Sequence, residues 1–290
     1  MQVEGWIDLS GRAKFLLRGP DAERYLNGQT TTDVRRATPD LAMPSLITTA
    51  KGKIEADIFI SRQAPDAFFI DAPDDLREAL QMRLDRYLIA DDAEITDVTE
   101  EFGLVHVIGA EPAVPEGAVV RRANRYGRDG WDLLGGTGIS LAQLGTALTS
   151  EDLEPFRIAH GIPRWGAELS PDVLPQEARL EERCLDFHKG CYIGQEVISR
   201  IKSVGKVNRL LCALVAEGAN DALAPGNLLF LEDREVGSIT SVAKNAELGR
   251  ITALAYVKRD ASSPGTVLRA ECPEKRLLSR LEIRETPLCC

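Results

Sequence analysis

Short runs of strand-forming residues, separated by turn residues, constrain the fold of this chain more than any other pattern in its sequence. Three such runs cover residues 46–49, 54–61 and 67–71, with Lys-Gly-Lys and Pro-Asp turns between them. Runs this short and this closely spaced predict adjacent antiparallel strands. Strand character returns at residues 94–98 and 104–108, which indicates one strand-rich unit.

One clear helix is predicted among these strands. Leucines recur every fourth residue from Leu76 to Leu88 within residues 74–90, and Asp74 and Asp75 follow a proline, where acidic side chains can cap a helix. A helix packed across short antiparallel strands gives an α+β layer of the ferredoxin-like kind. The predicted fold class is therefore α+β.

Three further helices are expected at residues 21–28, 149–160 and 194–204. The first ends on Asn-Gly, and the second opens with a Thr-x-x-Asp capping box and stops at Gly161. Beyond Gly205, short strand-like runs alternate with turns, which predicts a small antiparallel β-barrel at the carboxy-terminal end.

A chain of 290 residues exceeds what one compact core usually organises. The patterns predict a first α+β unit from residues 1–45 and 140–205, a second from residues 46–139, and a β-barrel from residues 206–290. The sequence shows neither a run of about 18 apolar residues nor a signal-peptide pattern. A cytoplasmic location is therefore expected.

The net charge of -10 disfavours a general nucleic-acid or anionic-membrane binder, because a negative field repels polyphosphate at long range. The six cysteines are too few for a disulfide framework in so long a chain, so reduced thiols are expected. Cys289 and Cys290 carry no lipidation signal, and no role for them follows from the sequence.

The segment Lys-Gly-Cys-Tyr-Ile-Gly-Gln-Glu at residues 189–196 is poor material for a hydrophobic core. Its two glycines allow close backbone approach to a ligand, and its last two residues would begin the next helix. A helix start and the neighbouring Lys189 and His188 would favour the thiolate of Cys191. A buried, inert Cys191 is the open alternative.

A metal site was weighed at the same place, because Cys184, His188 and Cys191 are spaced four and three residues apart. Zinc needs a fourth ligand, and the chain has only three histidines and no second cluster. No resident metal is therefore predicted, although the same thiol and imidazole could contact an iron-sulfur cluster transiently.

Two groups of basic residues have no acidic neighbours close in sequence. No acid occurs from residue 197 to 216, a stretch that contains Arg200, Lys202, Lys206 and Arg209, and the second group comprises Arg121, Arg122, Arg125 and Arg128. Each is either an ordinary solvated face or a docking strip for a polyanion such as a polyglutamate tail or a phosphate backbone.

Residues 189–196 resemble the Lys-Gly-Cys-Tyr-x-Gly-Gln-Glu signature of YgfZ-type proteins, which are relatives of the glycine-cleavage T-protein. Pieces at residues 19–34, 51–53, 157–163 and 174–177 follow the order seen in that family. The resemblance implies a ring of α+β units around a central folate pocket, followed by a β-barrel. It also implies a role in making or repairing iron-sulfur clusters in client enzymes, with tetrahydrofolate as ligand.

Together the residues and the resemblance give a set of candidate site residues and partners. The candidate catalytic residues are Cys191, Lys189 and Glu55; the candidate folate-contacting residues are Tyr192, Gln195, Gly190, Gly194, Glu196, Arg200 and Lys51; no metal ligand is included. The expected partners are folate and iron-sulfur client proteins or assembly factors, without a membrane or nucleic acid.

The sequence departs from true aminomethyltransferases at the place where those enzymes carry an acidic pair. Glu55 is followed by Ala56, so one carboxylate remains there, and Asp57 is expected on the opposite face of the strand. The T-protein's helix-end glutamate is replaced by Ala159. Two functions stay open: a maturation factor acting through Cys191, or a one-carbon transferase using Glu55 or Asp57 as acid or base. A pure binding scaffold is a third.

Overall fold

The computed structural model describes residues 3–138, 141, 144–216, 223–245, 248–272 and 277–288. Within them the chain forms two compact units. The sheet unit comprises Gln2–Leu148 and Glu181–Ser199, and the barrel unit comprises Thr149–Leu180 and Arg200–Cys290. The three-part division expected from the sequence, and the ring arrangement, stay predictions.

Among the described residues, the sheet unit is built on one mixed sheet of nine strands that curls like half of a barrel. The strands are β1 (Gly5–Asp8), β2 (Ala13–Arg18), β3 (Leu41–Thr48), β4 (Ile54–Ala64), β5 (Ala67–Ala72), β6 (Glu94–Asp97), β7 (Phe102–Ile108), β8 (Ala118–Ala123) and β9 (Gly130–Gly136). Their order across the sheet is β1-β7-β9-β8-β3-β4-β5-β2-β6. The predicted antiparallel neighbours β3, β4 and β5 are confirmed.

The joint between β3 and β8 differs from the others, which are all antiparallel. These two strands run parallel, and their register pairs are Leu41 with Arg122 and Ala42 with Ala123. The sheet therefore consists of a four-strand part and a five-strand part that meet at this short parallel joint.

Alternation along β4 separates the two faces of the sheet. The four even-numbered residues from Ile54 to Ile60 are at most 1% exposed and belong to the core. Glu55, Asp57 and Phe59 point to the other face, since successive side chains of a strand alternate. The same face receives the functional side chains described below.

The helix predicted over residues 74–90 is present but shorter than expected. A 3-10 turn leads into α2 (Arg77–Asp85), which follows α1 (Ala22–Gln29) in the chain. The predicted caps are wrong, because Pro73 and Leu76 hold the two capping positions and neither has a side-chain acceptor. Asp74 and Asp75 lie inside the turn instead.

The early end of α2 has a packing cause. The helix buries Leu80 and Leu84. Beyond it, Tyr87 is 42% exposed and Ile89 is 87% exposed. A continued helix would bury little apolar surface, and burial rather than propensity stabilises most protein helices.

Three helices remain, and two of them flank the Lys-Gly-Cys-Tyr segment: α4 (Glu181–Cys184) and α5 (Gln195–Ser203). The other, α3 (Ser150–Ala159), has the predicted capping box, with Thr149 N 2.8 Å from an oxygen of Asp152. None of the helices in the described part of the chain is long and apolar enough to span a membrane.

The barrel unit contains a closed antiparallel barrel, as predicted. Its strands are β10 (Arg209–Ala216), β11 (Leu228–Leu231), β12 (Arg234–Asn245), β13 (Arg250–Lys258), β14 (Val267–Cys272) and β15 (Leu277–Arg284). β15 pairs with β10 to close the ring. Leu214, Leu229 and Leu281 fill its core at 0% exposure. Closure removes the open strand edges that would otherwise template aggregation.

Candidate functional site

The Lys189 ammonium holds the Lys-Gly-Cys-Tyr segment onto the end of α1. Lys189 is buried, and its Nζ donates to the carbonyl oxygens of Asn27 at 2.8 Å, Thr30 at 2.6 Å and Thr32 at 2.7 Å. Carbonyls that follow a helix end lack internal partners, and a cation satisfies them well. Burial lowers the pKa of Lys189 to about 8.

This geometry changes what Lys189 can do for the neighbouring thiol. An ammonium has three N–H donors, and main-chain oxygens accept all three. No donor is left for Cys191. Lys189 therefore fixes the backbone of the segment, whereas the sequence suggested that it acts on the thiol itself.

The two glycines of the segment have different surroundings. Gly194 has φ +90°, and a Cβ there would lie 2.5 Å from the Thr49 carbonyl oxygen and 2.8 Å from Thr48 Oγ1. Thr48 Oγ1 also donates to the Ile193 carbonyl at 2.6 Å. Gly194 is thus required for packing against the β3–β4 turn. Gly190 has space around it, because a Cβ there would lie 3.9 Å from Asn27 Nδ2, its nearest neighbour.

The other predicted residues of the segment lie in mixed environments. Cys191 is exposed, while Tyr192 is 7% exposed and its hydroxyl has no hydrogen-bond partner. The Lys189 ammonium lies 5.2 Å from the centre of the Tyr192 ring, within cation-π range. Gln195 is half-buried, and Glu196, Arg200 and Lys51 are exposed.

Alkylation should single out Cys191 among the free thiols Cys184, Cys191 and Cys212. Burial raises the pKa of Cys184 to about 12 and raises the pKa of Cys212, so both thiols stay protonated and shielded. Iodoacetamide at pH 8 is expected to label Cys191 about ten times faster or more. Peptide mapping by mass spectrometry is the measurement.

The control for this labelling is the same reaction in guanidinium, where all three thiols should react alike. Protection of Cys191 in the folded protein would contradict its exposed position and favour the inert alternative. Cys289 and Cys290 lie outside the described residues, and the mapping reads them separately.

Glu55 is engaged as a counterion. Its Oε2 accepts from Arg83 Nε at 2.8 Å, and Arg83 Nη1 also donates to Gln29 at 2.9 Å. The Arg83 guanidinium lies 4.2 Å from the centre of the Tyr87 ring. The Glu55 carboxylate therefore pairs with a guanidinium, a contact that the sequence did not indicate.

Asp57 has a carboxylate oxygen without a hydrogen-bond partner. The expectation that Asp57 lies on the opposite face from Glu55 is wrong: both acids lie on the same face of β4, because they are two residues apart. Asp57 is half-buried, but its Oδ1 atom is shielded from solvent and makes no hydrogen bond. Burial raises the pKa of Asp57. Raised pKa values and unpartnered carboxyl groups are typical of functional sites.

A buried charge network, missed at the sequence level, surrounds this carboxyl group. Arg125 donates to Asp71 on β5 at 2.8 and 3.0 Å and to Asp132 on β9 at 2.7 and 2.9 Å. His106 Nδ1 lies 2.8 Å from Asp132. Phe59, two residues from Asp57, lies 4.1 Å beneath the Arg125 guanidinium. The available signal was a single acid inside each of two apolar strands, Asp71 in β5 and Asp132 in β9.

Arg12 completes the network and extends it toward Asp57. Its Nε donates to Asp71, while its Nη2 is buried without a partner. The Arg12 charge acts on the Asp57 carboxyl group, as does the charge of Asp71. We call Arg12, Asp57, Asp71, Arg125 and Asp132 the polar centre.

The predicted basic faces need correction. Arg121 is buried and donates to Ser61 at 2.7 Å, and Arg125 belongs to the polar centre, so the four arginines around Tyr126 do not form one exposed cluster. Arg209 pairs with Glu177 at 3.4 Å and stacks on Tyr256. Arg121 and Arg125 are therefore buried rather than solvated, and Arg209 has an acidic partner.

The short helix α4 is tied to the loop beside the polar centre. Arg183 donates to Asn124 Oδ1 at 3.0 Å and also to the Asn124 carbonyl oxygen. The next residue, Cys184, is buried, and its carbonyl accepts from Thr31 Oγ1 at 2.5 Å. Among the described residues, no three His, Cys, Asp or Glu side chains come together as a metal site.

Comparison with known proteins agrees with this architecture. Residues 2–114 match the GCVT N-terminal domain, and residues 209–288 match the glycine cleavage T-protein C-terminal barrel domain. The chain belongs to the glycine-cleavage T-protein superfamily. The superfamily accounts for both the α+β sheet unit and the six-strand barrel.

Individual members of the superfamily show how the chain relates to two named groups. It is 27% identical to an iron-sulfur cluster assembly factor, an IBA57 homologue from Phaeosphaeria nodorum, over 87% of this chain and 68% of that one. It is 25% identical to an aminomethyltransferase of Herpetosiphon aurantiacus over 98% and 86%. The aminomethyltransferase T structure of Bartonella henselae matches the fold with a TM-score of 0.87 at 18% identity, covering 99% of this chain and 86% of that chain.

Proposed function

We propose that this protein is a YgfZ-type member of the superfamily. It binds tetrahydrofolate in the sheet unit and supports iron-sulfur cluster assembly or repair in client enzymes through residues 189–196. The observation that carries the folate proposal is a set of buried polar atoms without partners: Asp57 Oδ1, Arg12 Nη2 and the Tyr192 hydroxyl. Folded proteins rarely leave such atoms unsatisfied, and a bound ligand is one explanation.

The chemistry of these atoms suits a folate. A carboxylate accepts N–H groups, a guanidinium donates to ring nitrogen or carbonyl oxygen, and a phenol can do either. A pterin ring presents donors and acceptors along one flat edge. When bound, tetrahydrofolate would supply a one-carbon carrier, while the polar centre would orient it and Tyr192 would contribute an aromatic face.

The maturation role rests on two supports. One is the similarity to proteins named as iron-sulfur cluster assembly factors. The other is the exposed Cys191, because an accessible thiol beside a buried cation can ligate iron or exchange with another thiol. Iron-sulfur client proteins or assembly factors are the proposed partners. The cytoplasm is the proposed compartment, on the sequence patterns alone.

The alternative function is a folate-dependent aminomethyltransferase or other one-carbon transferase, which the aminomethyltransferase relatives favour. Asp57 is the better acid or base for it. Its carboxyl group is unpartnered and has a raised pKa, whereas Glu55 is paired with Arg83. A carboxyl group with a raised pKa can give and take protons nearer neutral pH.

Replacing Cys191 with serine is expected to separate these functions. Cys191→Ser should abolish support of an iron-sulfur enzyme in cells that lack this protein, while leaving tetrahydrofolate affinity within about twofold. The physical reason is that a hydroxyl keeps the size of the thiol but not its nucleophilicity or metal affinity. Client enzyme activity and calorimetric titration with tetrahydrofolate are the two measurements.

Variants of the two acids on β4 distinguish the maturation factor from the transferase. Glu55→Gln, which lies outside the proposed folate contacts, should retain client support if Cys191 carries the function. Loss on Asp57→Asn with retention on Cys191→Ser would favour the transferase, and retention in all three would leave a binding scaffold. A titration without heat or thermal shift at saturating folate would overturn the folate proposal itself.

A further inference from the structure

The outer face of the sheet unit carries a row of side chains that the proposed folate site does not use. Register pairs place Trp6 beside Val107, Val107 beside Trp131, Trp131 beside Arg122 and Arg122 beside Leu41. The row therefore crosses five neighbouring strands on one face. We call it the tryptophan row.

The two faces of these strands carry different sets of side chains. The adjacent register pairs on these strands are His106 with Asp132 and Asp132 with Arg121. These three side chains point to the face of the polar centre. The tryptophan row points to the opposite face, because neighbouring residues of a strand alternate. A ligand at the row would not contact the polar centre.

Part of this outer face is covered by the chain itself. Leu141 and Leu144 pack with Trp6 and Trp131 against the buried Val107. Two cavities adjoin the row. One of about 620 Å³ is lined by Trp131, Val120 and Arg122 and by the acids Asp40, Glu111 and Asp129. A second, of about 440 Å³, shares Gly109, Ala110 and Glu111 with the first and extends to Gly5 and Thr146.

The charge of the side chains that line the first cavity favours a cationic ligand. Three carboxylates and one guanidinium line it, and all four residues are exposed. A half-buried tryptophan beside carboxylates suits a cation, which gains from the ring face and from the acids together. The net charge of -10 also steers cationic partners toward the protein at long range.

The shape favours a chain segment over a small amine. The cavities adjoin each other along the sheet and are open, and Val114, next to the lining residue Ala113, is 60% exposed. A lone ammonium would use only part of this length. We propose that the tryptophan row docks a basic segment of a partner protein, one that alternates lysine or arginine with apolar residues.

The test uses short labelled peptides and fluorescence anisotropy with the whole protein. Acetyl-Lys-Leu-Lys-Leu-Lys-amide should bind, more weakly as salt rises, and its glutamate counterpart should not. The double variant Glu111→Gln with Asp129→Asn should weaken binding about tenfold, since each exposed pair contributes up to about fivefold. Trp131→Leu should weaken it by a similar factor.

Glu78→Gln is the matched control, because Glu78 is an exposed acid on α2 and does not line either cavity. It should change peptide affinity less than twofold. Circular dichroism checks that each variant is folded, and the double acid variant carries the test if Trp131→Leu does not fold. Tetrahydrofolate titrations of the same variants should be unchanged, so this proposal can fail without the folate proposal.

Four outcomes would overturn the proposal. They are no binding of the basic peptide, equal binding of the acidic one, basic-peptide affinity unchanged by the lining variants, and lysine amide binding as tightly as the peptide. The last would leave a small-amine site rather than a protein docking surface.

Discussion

Replacing Arg125 with methionine is expected to lower the free energy of unfolding by about 3–5 kcal/mol. Arg125 is the shared counterion of Asp71 and Asp132, and all three are buried. Burial alone would raise the pKa of both acids, but the charge and hydrogen bonds of Arg125, together with their other basic neighbours, hold each pKa below its ordinary value. Without that charge, two carboxylates stay buried, Asp71 with Arg12 and Asp132 with the His106 ring as the remaining partner.

The loss should depend on pH in one direction. Wild-type stability from these acids is present above pH 3.8, the ordinary carboxyl value, and is lost as pH falls through their lowered folded pKa values. In the variant the two acids can protonate within the fold, so its free energy of unfolding does not fall in acid for this reason. The two proteins should therefore converge in acid and differ most at neutral pH.

Urea unfolding at several pH values measures this prediction. Arg122→Met is the matched control, because Arg122 is exposed three residues earlier, and it should change stability by no more than about 0.5 kcal/mol. Adding Asp71→Asn and Asp132→Asn to Arg125→Met should recover part of the loss. A loss below about 1 kcal/mol would show that water, not Arg125, satisfies the acids.

Replacing Asp57 with leucine is expected to weaken tetrahydrofolate binding about ten- to a hundredfold while making the free protein more stable. A hydrogen bond to a charged group contributes about 1.5–3 kcal/mol, which sets the loss of affinity. Removing a buried, unpartnered oxygen should raise the free energy of unfolding by about 1–2 kcal/mol. A residue with a purely structural role would not lower folate affinity and raise the free energy of unfolding at the same time.

The gain in stability should grow with pH. The folded pKa of Asp57 is raised above its ordinary value, so the cost of its charge is absent below pH 3.8 and is reached in full above the folded pKa. Asp57→Leu should therefore match the wild type in acid and exceed it at neutral pH. Thermal unfolding against pH reports this.

Glu55→Gln is the matched control for Asp57, because it alters an acid on the same face of β4. It should leave folate affinity within about twofold and lower stability by about 1 kcal/mol, since it breaks the pair with Arg83. Unchanged folate affinity in Asp57→Leu would place the ligand away from the polar centre.

The sequence predicted best the features that depend on neighbours in the chain. The strand runs of β3 to β5 and the capping box of α3 involve residues a few positions apart, and all are confirmed. The end of α2 was wrong because it depends on whether Tyr87 and Ile89 meet a packing partner. Leucine spacing does not contain that information.

The candidate site shows the same division. Residues 189–196 could be recognised as unusual from their composition, but Lys189 contacts carbonyls about 160 positions earlier in the chain. One partner of Arg125 is likewise distant, because Asp71 lies 54 positions away. A local reading therefore placed Arg125 in an exposed basic cluster and left Asp57 without a defined environment.

The short parallel joint between β3 and β8 has a mechanical consequence. Two register pairs connect plates of four and five strands, and the polar centre spans the same division, with Asp132 on one plate and Asp71 on the other. Main-chain pairing at the joint is short, and side chains such as Arg125 bridge the two parts of the sheet across it. We expect local opening of the sheet unit to begin at this joint, because few main-chain hydrogen bonds must break there. That motion would open a path to the unpartnered carboxyl group of Asp57.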